Sequence, residues 1–285
     1  MGSVMRSLAL GCAQFGHGYG LYVKTPELSS IEVGEILELA KDIGIEALDL
    51  AQGYEGVILK LSATGLTDRF KLGTKIKFRN SNMDLIAKSL TMDLQALNSR
   101  KYESILIHDW SELTAAEKEA GLSFLVDLRD QGIAKSIGIS VYDQSELIAL
   151  TEELDVVQAP LNFFNSEFLR DDTARNLAKN GVSFHARSIF HQGTLLNTET
   201  IKKDYMNEIK CFEDYCESHS LSRLQGALSI FDSQDLFSKL IVGVGSTSQL
   251  LEISSSPVKF ISSMLDEVPT NLSGELVDPR KWSAK

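Results

Sequence analysis

Short apolar runs alternate with longer amphipathic segments along most of the chain. The runs Leu8–Gly11, Ala47–Leu50, Phe70–Ile76, Ser104–Ile107, Ser136–Ser140, Asp155–Ala159, Val182–Ala186 and Leu240–Val244 predict eight strands. Between them lie stretches such as Ile31–Ala40, where apolar residues recur three and four positions apart and predict a helix. Another helix is expected over Leu85–Leu97, with Ser81 or Asn82 as its cap and Asp84 in its first turn. Strand followed by helix, repeated, implies parallel β-structure with right-handed crossovers. Eight units over 285 residues average about 36 residues each, the scale of an α/β (β/α)8 TIM barrel forming a single domain over 1–285. A doubly wound sheet is the alternative, but Gly11-Cys12-Ala13-Gln14-Phe15-Gly16 does not supply the glycine-rich turn it favours after its first strand. Residues 267–285, with Pro269, Gly274 and Pro279, predict an irregular tail over one end of the barrel.

Composition narrows the partners. A hydrophobic fraction of 43% and a charged fraction of 24% suit a globular protein with a large core. A net charge of -11, with no dense block among 28 Lys and Arg residues, argues against nucleic acid. No apolar run approaches the roughly 20 residues needed to span a bilayer, and the N-terminus lacks a signal-peptide pattern, so a cytoplasmic protein without membrane partners is expected. Monomer is the default, as no long apolar helix stripe is evident. Cys12, Cys211 and Cys216 show no CxxC and no histidine at ligand spacing, so no metal is expected. Cys12, just past the first strand, is a candidate pocket residue.

The chemistry concentrates at strand ends. Asp49 closes the second run, Tyr54 follows five positions later, Lys75 closes the third run and His108 closes the fourth. Parallel strands converge such groups on one face. An ammonium beside a phenol stabilises the phenolate and lowers its pKa toward the working range. A buried ammonium needs a carboxylate in turn, and a neutral imidazole at the same mouth can orient a carbonyl. Together these groups can polarise and protonate a carbonyl oxygen. Reduction also needs a hydride, and without a metal motif a nicotinamide is the implied donor.

The pattern Asp49-Leu50-Ala51-Gln52-Gly53-Tyr54, then Thr74-Lys75, then Leu106-Ile107-His108, resembles the aldo-keto reductase superfamily, whose members are (β/α)8 barrels using NADPH or NADH. The resemblance implies Tyr54 as general acid, Lys75 and Asp49 as the groups that tune it, and His108 as the group that orients the carbonyl. It covers nearly the whole chain. Lys135–Ser140 and Val156-Val157-Gln158 are similar to the family's fifth and sixth strand ends, which implies that Ser140 and Gln158 hold the nicotinamide carboxamide. Arg187–Gly193 resembles the seventh strand and its loop, against ring and diphosphate. Gly243–Leu250, including Ser246 and Gln249, resembles the segment that holds the adenosine half, where a helix N-terminus suits phosphate.

Three positions depart from the pattern. Tyr54-Glu55-Gly56-Val57-Ile58 replaces the usual Gly-x-Ser-Glu continuation, Val141 stands where an asparagine is common, and Arg187 replaces an aromatic residue. Residues 243–252 contain no base for a 2′-phosphate, so NADH and NADPH both stay open, with Arg223 or Lys239 as substitutes. Trp110, Phe163, Phe164 and Trp282 are candidate substrate-pocket residues, in a partly apolar site suited to a neutral aldehyde, ketone or sugar-derived carbonyl. His17, His185, His191 and His219 read as structural, with His191 a candidate pocket wall. Two competing functions stay in view: a Schiff-base barrel lyase using Lys75 as an amine nucleophile, and a nicotinamide-binding sensor or scaffold with little turnover.

Overall fold

The computed structural model describes residues 8–17, 27–147, 154–197, 205–232, 234–257, 261, 263–269, 272 and 274–277. Its eight strands are β1 Leu8–Gly11, β2 Ala47–Asp49, β3 Lys71–Ile76, β4 Tyr102–Ile107, β5 Ala134–Ser140, β6 Val156–Pro160, β7 Ser183–Arg187 and β8 Phe237–Gly243. Each pairs in parallel with the next, and β1 pairs with β8, so the sheet closes as a barrel. This is the (β/α)8 architecture that the apolar periodicity predicts.

Helices α1 Ser30–Asp42, α2 Val57–Thr64, α3 Met83–Ala96 and α4 Ala115–Asp130 follow the first four strands. A 3-10 turn, Gln144–Leu147, follows β5 and helix α5 Asp172–Lys179 follows β6. Helices α6 Met206–Ser218 and α7 Arg223–Asp232 lie between β7 and β8, and α8 Thr247–Ser255 follows β8. In α1 the residues Val33, Ile36, Leu37 and Ala40 are buried at three- and four-residue spacing, as an amphipathic helix packed on a barrel requires. Capping boxes Ser29–Glu32 and Thr114–Glu117 satisfy the first amides of α1 and α4. Asn82 caps α3 by accepting a hydrogen bond from the Leu85 amide.

Two glycines set local geometry near the mouth. At Gly138 an added Cβ would lie 1.9 Å from the Val156 carbonyl oxygen, so glycine alone allows β5 and β6 to approach and bring Ser140 into register with Gln158. Gly56 has φ 77° and would place a Cβ 2.9 Å from the His17 ring, which explains the departure after Tyr54. That segment is a tight turn: the Tyr54 amide donates to Ala51 O at 3.0 Å, the Val57 amide to Tyr54 O at 3.3 Å, and the His17 amide to Glu55 O at 3.2 Å.

Much of the expected tail, 267–285, lies outside the described residues. Met264–Glu267 and Gly274–Val277 are short helices, α9 and α10, and Leu276 O accepts a hydrogen bond from His191 Nε2 at 2.6 Å. His191 is 1% exposed and stands outside the wall of the large cavity, so it serves as the anchor of the tail and not as a pocket wall.

Burial holds the His191 imidazole neutral, its pKa pulled down to about 4. Burial, with the Lys239 and Lys75 cations, pulls His185 down to about 3. Each depressed histidine binds fewer protons in the folded than in the unfolded chain, so its stabilising share is whole above about pH 6.5 and is lost as pH falls toward the folded value. We expect acidification from pH 7 to 5 to cost about 2 kcal/mol per histidine. Urea denaturation of wild type and H191Q at both pH values checks this. H191Q should lose less stability on acidification, and an identical loss would place the titration on other groups.

Candidate active site

A cavity of about 980 Å³ opens at the carboxyl ends of the strands. Asp49, Tyr54, Lys75 and His108 all line it, so the four strand-end groups do meet. Gln158, Arg187, Gly193, Gly243 and Gln249 line the same cavity.

At its deep end Lys75 Nζ lies 2.5 Å from Asp49 Oδ2, and Gln158 Nε2 donates to Asp49 Oδ1 at 3.0 Å. Both carboxylate oxygens are therefore engaged across β2, β3 and β6. Lys75 is 2% exposed, so burial pulls its pKa below the usual lysine value. Asp49 opposes that shift by charge and hydrogen bond, and the Arg187 cation adds to it. The Lys75 ammonium lies 5.7 Å from the centroid of the Tyr54 ring. His108 follows β4, its amide bonded to Ile76 O at 2.8 Å. The next residue, Asp109, accepts from the amides of Phe78 and Arg79 at 2.9 and 3.0 Å and thereby ties the loop after β3 to the one that carries His108.

The structure corrects several expectations. Phe163 is fully buried and packs edge-on against Phe212 and at a tilt against Tyr215 of α6, with ring centroids 5.1 Å away in each case, so it is core and not pocket. Phe164 packs edge-on against His191 and is likewise absent from the cavity wall. Trp110 is 2% exposed and outside that wall, its ring covered by the Lys118 ammonium 5.0 Å from the centroid. Trp282 lies outside the described residues. Cys12 is fully buried and faces Leu10 O, and burial together with the Asp49 charge raises its pKa, so it is an inert core thiol and not part of the wall.

At the cofactor positions, Ser246 is not on the wall: its hydroxyl caps α8 by accepting from the Gln249 amide at 3.2 Å. Gln249 Oε1 accepts from the Gly245 amide at 2.7 Å, so this helix end satisfies part of its own donor set. Ser140 is 1% exposed and also stands off the wall. Lys239 sits in the amino-terminal half of β8, in the field of Glu103, Lys71 and Lys135, and does not reach the cavity. Arg223 does line it, ion-paired with Glu213. Glu252 stands on the same wall.

Several wall residues escape a reading from sequence, among them Gln14 in the loop after β1, Tyr142 after β5, Leu224 on α7 and Glu252 on α8. None belongs to a short motif. Gln192 has φ 54°, which loop periodicity does not announce.

Buried polar atoms without a hydrogen-bond partner test whether a nicotinamide suits the site. Among the described residues, Gln14 Oε1, Gln158 Oε1, Gln192 Oε1 and Ser140 Oγ are such atoms. Leaving a buried acceptor unsatisfied costs about 1–3 kcal/mol, so a ligand that donates N–H groups is favoured there. A primary carboxamide has that donor set. Residues Asp49, Tyr54, Lys75 and His108 belong to no metal cluster, and no group of three metal-ligating side chains occurs among the described residues. No described helix is long and apolar enough to cross a membrane.

Comparison with known proteins bears on the same region. The sequence profile described as the Aldo/keto reductase family matches residues 7–263. Two solved structures from Pseudomonas aeruginosa, each described as a putative aldo-keto reductase, are similar in fold. One has a TM-score of 0.64 at 17% identity, and the other 0.63 at 16%, each covering 87% of this chain and 88% of that one. No curated protein matches the chain.

The buried ion pair yields a stability prediction. Lys75→Met strips the cation from a carboxylate that Gln158 alone then supports, a change expected to cost about 3–5 kcal/mol in chemical denaturation. Adding Asp49→Asn removes the orphaned charge and should restore part of that loss. A double variant as unstable as the sum of the two single variants would mean that the residues act independently.

Proposed function

Because the chain belongs to the aldo/keto reductase family, we propose that it is an NAD(P)H-dependent reductase of aldehydes, ketones or sugar-derived carbonyls. The observation that carries this reading is the convergence of Tyr54, His108 and the Asp49–Lys75 pair on one cavity. When bound, the nicotinamide supplies the hydride. The rest of the chemistry belongs to the chain. Tyr54 hands its phenolic proton to the carbonyl oxygen as negative charge develops there. Lys75 stabilises the phenolate left behind, and Asp49 keeps Lys75 in place and charged. His108 orients the carbonyl by a hydrogen bond.

Gln158 would hold the carboxamide through the acceptor that lacks a partner, Arg187 and Gly193 would pack beside ring and diphosphate, and Gly243 and Gln249 would border the adenosine half, while Ser140 and Ser246 stand off the wall. Apolar wall residues Ile189, Phe190, Leu196 and Leu224 favour a ligand without many charges. Neither nucleotide is favoured outright: Arg223 offers a cation for a 2′-phosphate, while Glu213 and Glu252 counter it. The Schiff-base reading is opposed by the Lys75–Asp49 contact, since a carboxylate at 2.5 Å ties up the ammonium that would have to become a free nucleophile, although burial of Lys75 works the other way.

Titrating NADPH and NADH separately into the protein, by quenching of tryptophan fluorescence, and then adding a panel of aldehydes while following cofactor absorbance tests the proposal. Binding and oxidation are expected. Absence of binding for both nucleotides would overturn it, and binding without turnover across the panel would support a sensor. Tyr54→Phe should bind nucleotide as wild type does while turnover falls about 10²–10⁴-fold. Retained turnover would remove Tyr54 from the mechanism.

A further inference from the structure

Arg187 ends β7 with its guanidinium fixed on three sides. One terminal nitrogen donates to Val141 O at 2.9 Å, the other to Ser188 Oγ at 3.3 Å, and the carbon between them lies 4.0 Å from the centroid of the Tyr142 ring. Several other described arginines meet acids: Arg69 pairs with Glu38, Arg129 with Asp155 and Arg223 with Glu213, whereas Arg170 donates to Ser166 Oγ and Leu265 O. Among the described residues no carboxylate pairs with Arg187. The cavity wall holds two acids, Asp49 and Glu252. Asp49 is already committed to Lys75 and Gln158, and Glu252 stands on α8. Arg187 thus places a fixed positive charge, uncompensated by any paired carboxylate, on the wall that also carries Lys75. Its field reaches the Lys75 ammonium, which it disfavours.

A nicotinamide ring is neutral when reduced and carries one positive charge when oxidised, whereas the phosphates of the two forms are alike. A fixed cation near the ring therefore separates the two redox states, and little else on the nucleotide does. Resting on the proposed nicotinamide-dependent activity, we infer that Arg187 is a redox-state selector: its unneutralised guanidinium makes the cavity hold the reduced nucleotide more tightly than the oxidised one. Tyr142 and Val141 keep the charge in place, a positioning role invisible in either residue alone. By linkage, the bound couple is a weaker reductant than the free one, and easy loss of the oxidised nucleotide draws carbonyl reduction forward.

The test is a set of separate equilibrium titrations of the full chain with NADH, NAD⁺, NADPH and NADP⁺, followed by tryptophan fluorescence, for wild type, R187K, R187M and R187Q. With whichever nucleotide pair binds, wild type should favour the reduced form about tenfold. R187K should keep most of that preference, and R187M and R187Q should bring it toward unity while circular dichroism confirms folding. A wild type that binds the oxidised form equally well overturns the inference by itself, whether or not the neutral variants fold. So does a preference that survives in R187M or R187Q. Failure of wild type to bind any of the four nucleotides would sink the reductase reading as well, an outcome distinct from binding without selectivity.

Discussion

The site depends on one buried contact, the pair between Lys75 and Asp49. Removing a carboxylate and an ammonium from water costs several kcal/mol per ion, and the attraction between them offsets this only if the geometry is close and the remaining polar atoms are satisfied. At 2.5 Å, with Gln158 on the second carboxylate oxygen, both conditions are approached. The three residues come from β3, β2 and β6, so the contact is possible only inside a closed barrel. The barrel in turn must tolerate a lysine where branched apolar residues would ordinarily fill the layer. Fold and site therefore constrain one another through a single pair of charges.

Arg187 shows how finely that balance is set. Burial and the Arg187 cation both push Lys75 toward its neutral form, and Asp49 opposes them. A phenol acid needs the ammonium charged at the moment its proton leaves. An aromatic side chain at the end of β7 would relieve Lys75 of a repulsive neighbour, yet this chain uses arginine and anchors it with Val141 O and the Tyr142 ring. Such an arrangement costs charge stability at Lys75, and a charge-dependent job at Arg187 gives that cost a reason.

Much of the barrel is legible in the sequence because strand and helix periods differ, and the eight apolar runs fall on the eight strands. The misread boundary at β8 has a physical cause. After Phe237 come two polar residues, Ser238 and Lys239, so the continuous apolar run begins only at Leu240. The four strand-end groups were legible because strand ends point one way. Loop aromatics carry no such direction: Phe163 looks like a pocket residue until α6, with Phe212 and Tyr215, is folded against it. That contact joins residues some fifty positions apart, which no local pattern encodes. Gln14 was missed for a related reason, since a glutamine in a loop is ordinary until its Oε1 is found buried without a partner.

Those unsatisfied acceptors and the uncompensated guanidinium describe the same cavity from two sides. A folded chain that left Gln14, Gln158 and Gln192 oxygens dry and an arginine unneutralised, with nothing to bind, would carry several destabilising terms with no return in packing. The acceptors call for N–H donors, and the cation sets the charge those donors can carry with them. A neutral carboxamide-bearing ring meets both demands and a cationic one meets only the first. On the reading proposed above, a reduced nicotinamide would satisfy polar groups of the lining that the chain itself leaves without partners.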